Sequence, residues 1–144
     1  MTDPLNDIRQ YSPAMTISQV LKFCEKKDIG ITRGMIQNYI RDGLLPPPVN
    51  KRLYTHKHIA ALVLIDKLKA VFDIPSIQKV LVPLMDDEGL PIDAYNDLIN
   101  QTTELLRKWQ IIMKQTEETT AYPLPQMFFA AELKALICGG GAHQ

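Results

Sequence analysis

A chain of 144 residues, 46% of them hydrophobic, falls within the roughly 100–200 residues usual for one domain and can bury a real core. No stretch approaches the roughly 20 unbroken apolar residues of a membrane span, and Asp3 and Asp7 stand where a secretory leader carries bases, so a cytoplasmic protein is expected. Formal charge is zero, and Cys24 and Cys138 are far apart without CxxC spacing, which excludes a disulfide framework or a zinc knuckle and predicts reduced thiols.

Asp3-Pro4 reads as the cap and first turn of a short helix reaching about Gln10, within an N-terminal arm of residues 1–15. Thr16 then precedes Ile17, Val20, Leu21 and Cys24 at helical spacing, a first helix ending near Lys27. Gly30 is expected to supply the turn, Ile31 an apolar plug, and Thr32 the N-cap of a second helix from Arg33 to about Asp42, which Gly43 terminates. Two short helices across a tight turn make the helix-turn-helix outline. With Ile36, Tyr39 and Ile40 on the core side of the second helix, Gly34, Gln37, Asn38 and Arg41 fall on the other. A groove-reading helix needs such a stripe: a small residue for close approach, amides for adenine edges, and a cation for guanine or phosphate. The same stripe also fits an ordinary solvated face.

Pro46-Pro47-Pro48 forces an extended run, and Val49 to Tyr54 reads as a tight hairpin with Lys51 and Arg52 near its tip, a candidate wing. Because proline stiffens the backbone they start from, these two cations lose less entropy on gripping phosphates. Arg33 and Lys57 complete the candidate contacts. Thr55 caps a third helix carrying Ile59, Leu62, Val63, Ile65, Leu68 and Val71, and a fourth opens at Ile74-Pro75 and buries Ile77, Val80 and Leu81. His56 and His58, two apart, cannot share a face to chelate a metal, so capping or phosphate contact is expected of them.

Pro83, Gly89 and Pro91 punctuate a loop containing Asp86-Asp87-Glu88, expected to be a hinge. It also marks a change of charge. Between Thr16 and Leu81 eleven bases meet five acids, a surplus of +6, whereas from Val82 onward four bases meet nine acids, −5. A basic segment is drawn to polyanions such as nucleic acid, while an acidic one suits pairing or sensing.

A long helix follows from Ile92, in which Tyr95, Ile99, Thr102, Leu106, Trp109, Met113 and Thr116 alternate steps of three and four, and Leu98, Leu105 and Ile112 widen the apolar face. Either the basic module or a second copy must cover it, and its length favours a homodimer through Tyr95, Ile99, Leu106, Trp109 and Met113. Trp109 and Tyr95 are core or interface aromatics in this reading, the other being the wall of a small-molecule effector pocket. Tyr122-Pro123-Leu124-Pro125 breaks the helix, Gln126 to Cys138 forms a last one, and residues 139–144 are expected to be disordered. There is no Gly-x-Ser-x-Gly, phosphate loop or His-Glu-x-x-His, so no enzyme, no cofactor and no metal is expected.

The string Ile36-Gln37-Asn38-Tyr39-Ile40-Arg41-Asp42-Gly43-Leu44-Leu45-Pro46, followed by Lys51-Arg52-Leu53-Tyr54-Thr55 and by Phe72-Asp73-Ile74-Pro75-Ser76-Ile77, resembles the MerR family of winged-helix regulators. It is also similar to a bacterial domain-of-unknown-function family with a Gly-Leu-Leu-Pro-Pro-Pro run. The MerR likeness covers Thr16 to Leu81. It implies a dimer held by a long C-terminal helix, with two recognition helices in successive major grooves, Thr32, Gln37 and Arg41 on the reading helix, and Arg52 with Tyr54 holding phosphates. Gln37 stands where many relatives carry Arg and Asn38 replaces an aromatic, which implies weaker phosphate anchoring; the run from Pro46 to Lys51 is short for a wing and lacks its Gly, which implies a reduced minor-groove reach.

The expected fold is therefore mainly α: a MerR-like winged helix-turn-helix over residues 16–82, then a helical dimerisation or effector region over 83–138. The expected function is a dimeric, sequence-specific transcription regulator bound to double-stranded DNA. The alternative is a protein-interaction adaptor that uses the long apolar helix and binds no DNA.

Overall fold

Four helices begin where a short oxygen-bearing side chain can take up an orphan amide. The hydroxyls of Thr16, Thr32 and Thr55 accept from the backbone of Gln19, Met35 and Lys57, and the Asp73 carboxylate accepts from Ser76, caps worth about 1 kcal/mol each. They open α1 (Ile17–Lys26), α2 (Arg33–Arg41), α3 (His56–Lys69) and α4 (Ile74–Leu81). Two further helices follow, α5 (Ile92–Thr116) and α6 (Leu124–Gly139). The computed structural model describes residues 3–116 and 124–139; among these the fold is mainly helical, with isolated antiparallel bridges and no extended strand. None of the described helices is long and apolar enough to cross a membrane.

The chain divides into two compact units, Met1–Ile99 and Asn100–Gln144. In the first, α3 is apolar on almost every side and buries Ile59 through Val63 together with Ile65, which makes it the axis of the core. Into the same cluster α1 sends Val20, Phe23 and Cys24, α2 sends Ile36 and Tyr39, and α4 sends Ile77 and Leu81. Each large side chain fully buried there contributes about 1.5–3 kcal/mol.

Two helix ends show how the turn is made. α2 stops at Gly43, whose φ is +79°; Leu44 N–H donates to the Tyr39 carbonyl at 2.8 Å and Gly43 N–H to Ile40 at 3.2 Å, the paired bonds of a Schellman turn. α1 ends in the same pattern, but Asp28 rather than Gly30 takes the left-handed position, at φ +58°, with Ile29 N–H donating to Cys24 at 2.8 Å. The reason is counting: the last helical residue is Lys26 and Lys27 is the cap, so the residue past the cap is Asp28. Gly30 is instead laid against α3, its N–H donating to Asp66 (3.1 Å) and its carbonyl accepting from Lys69 (3.0 Å).

Several expectations shift for similar reasons. From Asp3 to Gln10 the chain is a series of turns with a 3-10 segment at Ile8–Gln10, not a helix, although Leu5 and Ile8 do dock in the core. α3 stops at Lys69, leaving Val71 exposed beyond it, and Val80 lies on the outer face of α4. The acidic loop is no free hinge. Asp86 pairs with Lys57 at 2.8 Å, Leu90 N–H donates to the Lys57 carbonyl at 3.0 Å, and Gly89, at φ +130°, passes so close that a methyl group there would collide with that carbonyl. The first unit accordingly runs well past Val82 and takes in Leu90 and Tyr95. At the other end, α6 begins at Leu124 with Pro125 in its first turn, where proline is tolerated, and extends through Gly139. The expected chain break at Tyr122-Pro123 and the tail beyond Gly139 lie outside the described residues.

The first turn of α3 holds three separate segments. His56 Nε2 donates towards the Tyr11 and Ser12 carbonyls (3.1 and 3.2 Å), Lys57 holds the acidic turn, and His58 reaches the Pro47 carbonyl (3.0 Å).

Candidate nucleic-acid interface

The hairpin after the three prolines closes on one residue pair: Val49 and Leu53 exchange backbone hydrogen bonds at 2.7 and 2.9 Å. Its tip bends through Asn50 and Lys51, whose φ values of +53° and +66° are both of the sign that a I′-type turn requires. Asparagine tolerates this conformation and lysine resists it. The base of the hairpin is paired in turn, Tyr54 exchanging bonds of 2.7 and 2.8 Å with Met15 just before α1.

Beneath the base sits His58, fully buried. Its Nδ1 accepts the Thr55 N–H at 3.0 Å, so Nε2 carries the proton and donates to the Pro47 carbonyl, while its ring meets Tyr54 edge-on at 5.3 Å. Burial holds the imidazole below its ordinary pKa, against the opposing pull of the Pro47 carbonyl. Both flanks of the hairpin are thus anchored, and Lys51 and Arg52 project from a fixed base.

Between this hairpin and the exposed side of α2 runs a groove of about 400 Å³, lined by Thr16, Ile17, Arg33, Gln37, Lys51, Arg52, Leu53 and Tyr54. Three cations and one amide stand over a floor of Ile17, Leu53 and the Tyr54 ring, and no acid is among the lining residues. Burial raises the Tyr54 phenol, and the nearby Arg33 guanidinium opposes that shift. Five of the residues singled out from the sequence are therefore neighbours: Arg33, Gln37, Lys51, Arg52 and Tyr54.

The other candidates fall differently. Thr32 spends its hydroxyl on capping α2, and Gly34, Asn38 and Arg41 are exposed on α2 but do not line the groove. Arg41 is paired with its neighbour Asp42 at 3.1 Å, both largely exposed, a contact that solvent keeps weak. Lys57 is turned to the acidic turn, with Asp86 at 2.8 Å and Glu88 near it, and stands apart from the hairpin cations. Tyr54 is itself buried, so it roots the hairpin.

The dimerisation candidates are also separated. Tyr95 is 0% exposed inside the first unit, its hydroxyl donating to Asp3 at 2.6 Å, and Ile99 packs partly into the same core. In the second unit Trp109 and Met113 are half-buried, with the Trp109 ring 4.6 Å from that of Phe129, and Leu106 is exposed. The open side of α5 there is instead Leu105, Ile111 and Ile112.

The apolar floor of the groove was missed in the sequence, where Ile17 reads as a core position and Leu53 as part of a turn. A second groove, of about 230 Å³, went unseen too; it follows α1 past Tyr11, Ser12, Gln19, Lys22 and Lys26. Lys22 and Lys26 are one helical turn apart, a spacing that places both on one side, and this was the available signal.

The charge split also changes meaning. Residues 1–99 hold twelve bases and twelve acids, and residues 100–144 four of each. Each unit is formally neutral, so the positive character is local, as in the groove lined by Arg33, Lys51 and Arg52.

Fold and site together define a mainly helical protein with a basic groove between a helix and a proline-anchored hairpin. The chain belongs to the family described as Domain of unknown function (DUF1836), which matches residues 13–98, more than half its length. That match spans α1 through the first turns of α5, and it fits the resemblance to a domain-of-unknown-function family. No curated protein and no solved structure matches the chain.

Proposed function

We propose that this chain is a sequence-specific transcription regulator of the winged helix-turn-helix type, with α2 in the major groove of double-stranded DNA and the Val49–Leu53 hairpin on the phosphates beside it. The observation that carries the reading is the groove joining Arg33 and Gln37 of α2 to Lys51 and Arg52 of the hairpin, without an acid. An exposed amide between cations can read an adenine edge while its neighbours hold backbone oxygens. The sequence likeness to MerR regulators over Thr16 to Leu81 supports the same reading.

Fluorescence anisotropy on a mixed-sequence duplex at two ionic strengths tests it. Binding at low salt is expected, with log affinity falling against log salt by about 0.9 for each phosphate neutralised. No binding at low salt overturns it. The rival adaptor reading draws on the exposed apolar side chains of the second unit.

A further inference from the structure

We propose that the groove along α1 is a binding site for a small aromatic carboxylate. It lies wholly in the first unit and shares no lining residue with the candidate DNA groove, so it stands apart from the DNA reading. Buried Met15 and Phe23 form its floor, with the half-buried Tyr11 ring set edge-on to Phe23 at 4.9 Å. Gln19, Lys22 and Lys26 stand exposed above them. At about 230 Å³ the space falls short of the roughly 300 Å³ at which drug-sized sites begin, which suits a ligand of one ring.

The rim of this groove offers donors. The Gln19 side-chain oxygen is spent on the Thr16 N–H at 2.8 Å, which leaves its NH2 group. Ser12 is closed on its own turn, its hydroxyl held between the N–H and the carbonyl of Ala14. No acid lines the groove. Among the described residues neither Lys22 nor Lys26 is ion-paired, and Asp7, whose carboxylate feels the Lys26 charge, is spent on Lys27 at 2.7 Å. The Tyr11 hydroxyl is shielded from solvent and, among the described residues, has no hydrogen-bond partner, a state that buried hydroxyls rarely keep.

Donors above an apolar floor call for an anionic head on an apolar body. The body is a ring, because the Tyr11 and Phe23 rings accept a third ring edge-on or offset, and the Met15 thioether favours an aromatic edge. The stems of Lys22 and Lys26 extend those walls while their ammonium groups stay in water. The head is a carboxylate. A phosphate is best held by an arginine fork or a nest of free backbone amides, whereas no arginine lines this groove and Gln19 to Lys26 lie within α1. A duplex backbone makes no use of an apolar floor.

Titration of the isotope-labelled full chain with sodium benzoate, at fixed ionic strength and followed by amide NMR, tests the site. Saturable shifts are expected at Tyr11, Ser12, Met15, Gln19, Lys22 and Phe23, with a Kd between about 0.01 and 1 mM for a ligand of this size. Acetate, which lacks the ring, and benzylammonium, which reverses the charge, should each bind at least about tenfold more weakly. Lys22→Gln with Lys26→Gln should weaken benzoate binding about tenfold. Lys67→Gln with Lys114→Gln removes the same charge from exposed positions elsewhere and should leave it unchanged. No saturation by about 10 mM, equal binding of acetate or benzylammonium, or parent-like binding by the Lys22 and Lys26 variant overturns the inference. So does a parent that ignores benzoate while that variant loses duplex affinity, which makes the groove a backbone contact. Duplex binding is read separately: a chain that saturates with benzoate and ignores duplex defeats only the DNA reading.

Discussion

The Nε2 of His58 lies 3.0 Å from the carbonyl oxygen of Pro47, so one buried imidazole joins the start of α3 to the stem of the hairpin. Replacing it by leucine removes both hydrogen bonds of the ring, leaving the half-buried Thr55 N–H without its acceptor while the carbonyl of exposed Pro47 turns to water. His58→Leu is expected to cost about 1–3 kcal/mol in urea unfolding, the cost of one unsatisfied group.

The same residue makes stability depend on pH. Burial lowers its folded-state pKa from the ordinary 6.5, so the unfolded chain binds the proton more readily and stability rises with pH across that interval. The contribution is complete above about pH 6.5 and is lost as pH falls towards the folded-state value. Unfolding midpoints at pH 7.5 and 5.5 should therefore differ more for the parent than for His58→Gln; equal differences would contradict this account.

Lys51 separates strain from binding. A left-handed φ costs a residue with Cβ roughly 1–2 kcal/mol, while glycine returns about 0.5–1 kcal/mol of that through the unfolded chain. Lys51→Gly should leave stability unchanged or raise it by up to about 1 kcal/mol. If the proposed function holds, it should also lower duplex affinity and flatten the salt slope by about 0.9. A variant that is less stable would contradict the turn geometry.

Asp28 offers a comparison without charge at the groove. With φ at +58° in the turn that ends α1, Asp28→Gly should stabilise by up to about 1 kcal/mol. Gly89→Ala should do the opposite and by more, because its new methyl meets the Lys57 carbonyl, and the turn holding Asp86 must move away. Denaturant titrations of both variants check the two signs.

Gln37 and Arg52 should separate reading from gripping. On a selected operator Gln37→Ala is expected to lose about 1–3 kcal/mol of discrimination and little affinity for mixed duplex, whereas Arg52→Ala should weaken both alike. Parallel losses for the two variants would place Gln37 outside the base contacts.

Cys24 and Cys138 should react differently. Burial pushes the Cys24 thiol up to about 11, with the nearby Asp66 charge adding to the shift, and the thiolate is the reactive form. Alkylation at pH 8 should leave Cys24 unmodified until denaturant is added, as read by peptide mass mapping.

What could be read from the residues was local. Thr16, Thr32 and Thr55 are caps because a hydroxyl sits three or fewer positions from the amide it takes, and Gly43 ends α2 because a left-handed residue is needed one place past the cap. The hairpin tip, with Lys51 and Arg52, was legible from the prolines before it. Partners far along the chain were not: Lys57 meets Asp86 across 29 positions and Tyr95 meets Asp3 across 92. No periodicity encodes those pairs, so Lys57 looked like a free cation and Tyr95 like an interface residue. A heptad likewise gives the stripes of α5 but not which one is covered. The sorting of charge along the chain misled for the same reason, since the acidic turn folds back onto the basic segment and neutralises part of it.

His56, Lys57 and His58 turn one helical revolution into a tripod, each leg standing on a different stretch of chain: the run before α1, the lead-in to α5, and the stem of the hairpin. Three regions remote in sequence are thereby tied to one helical turn. Their amide protons are expected to exchange as one cooperative block, opening together near the global unfolding free energy, where an unanchored hairpin would exchange early.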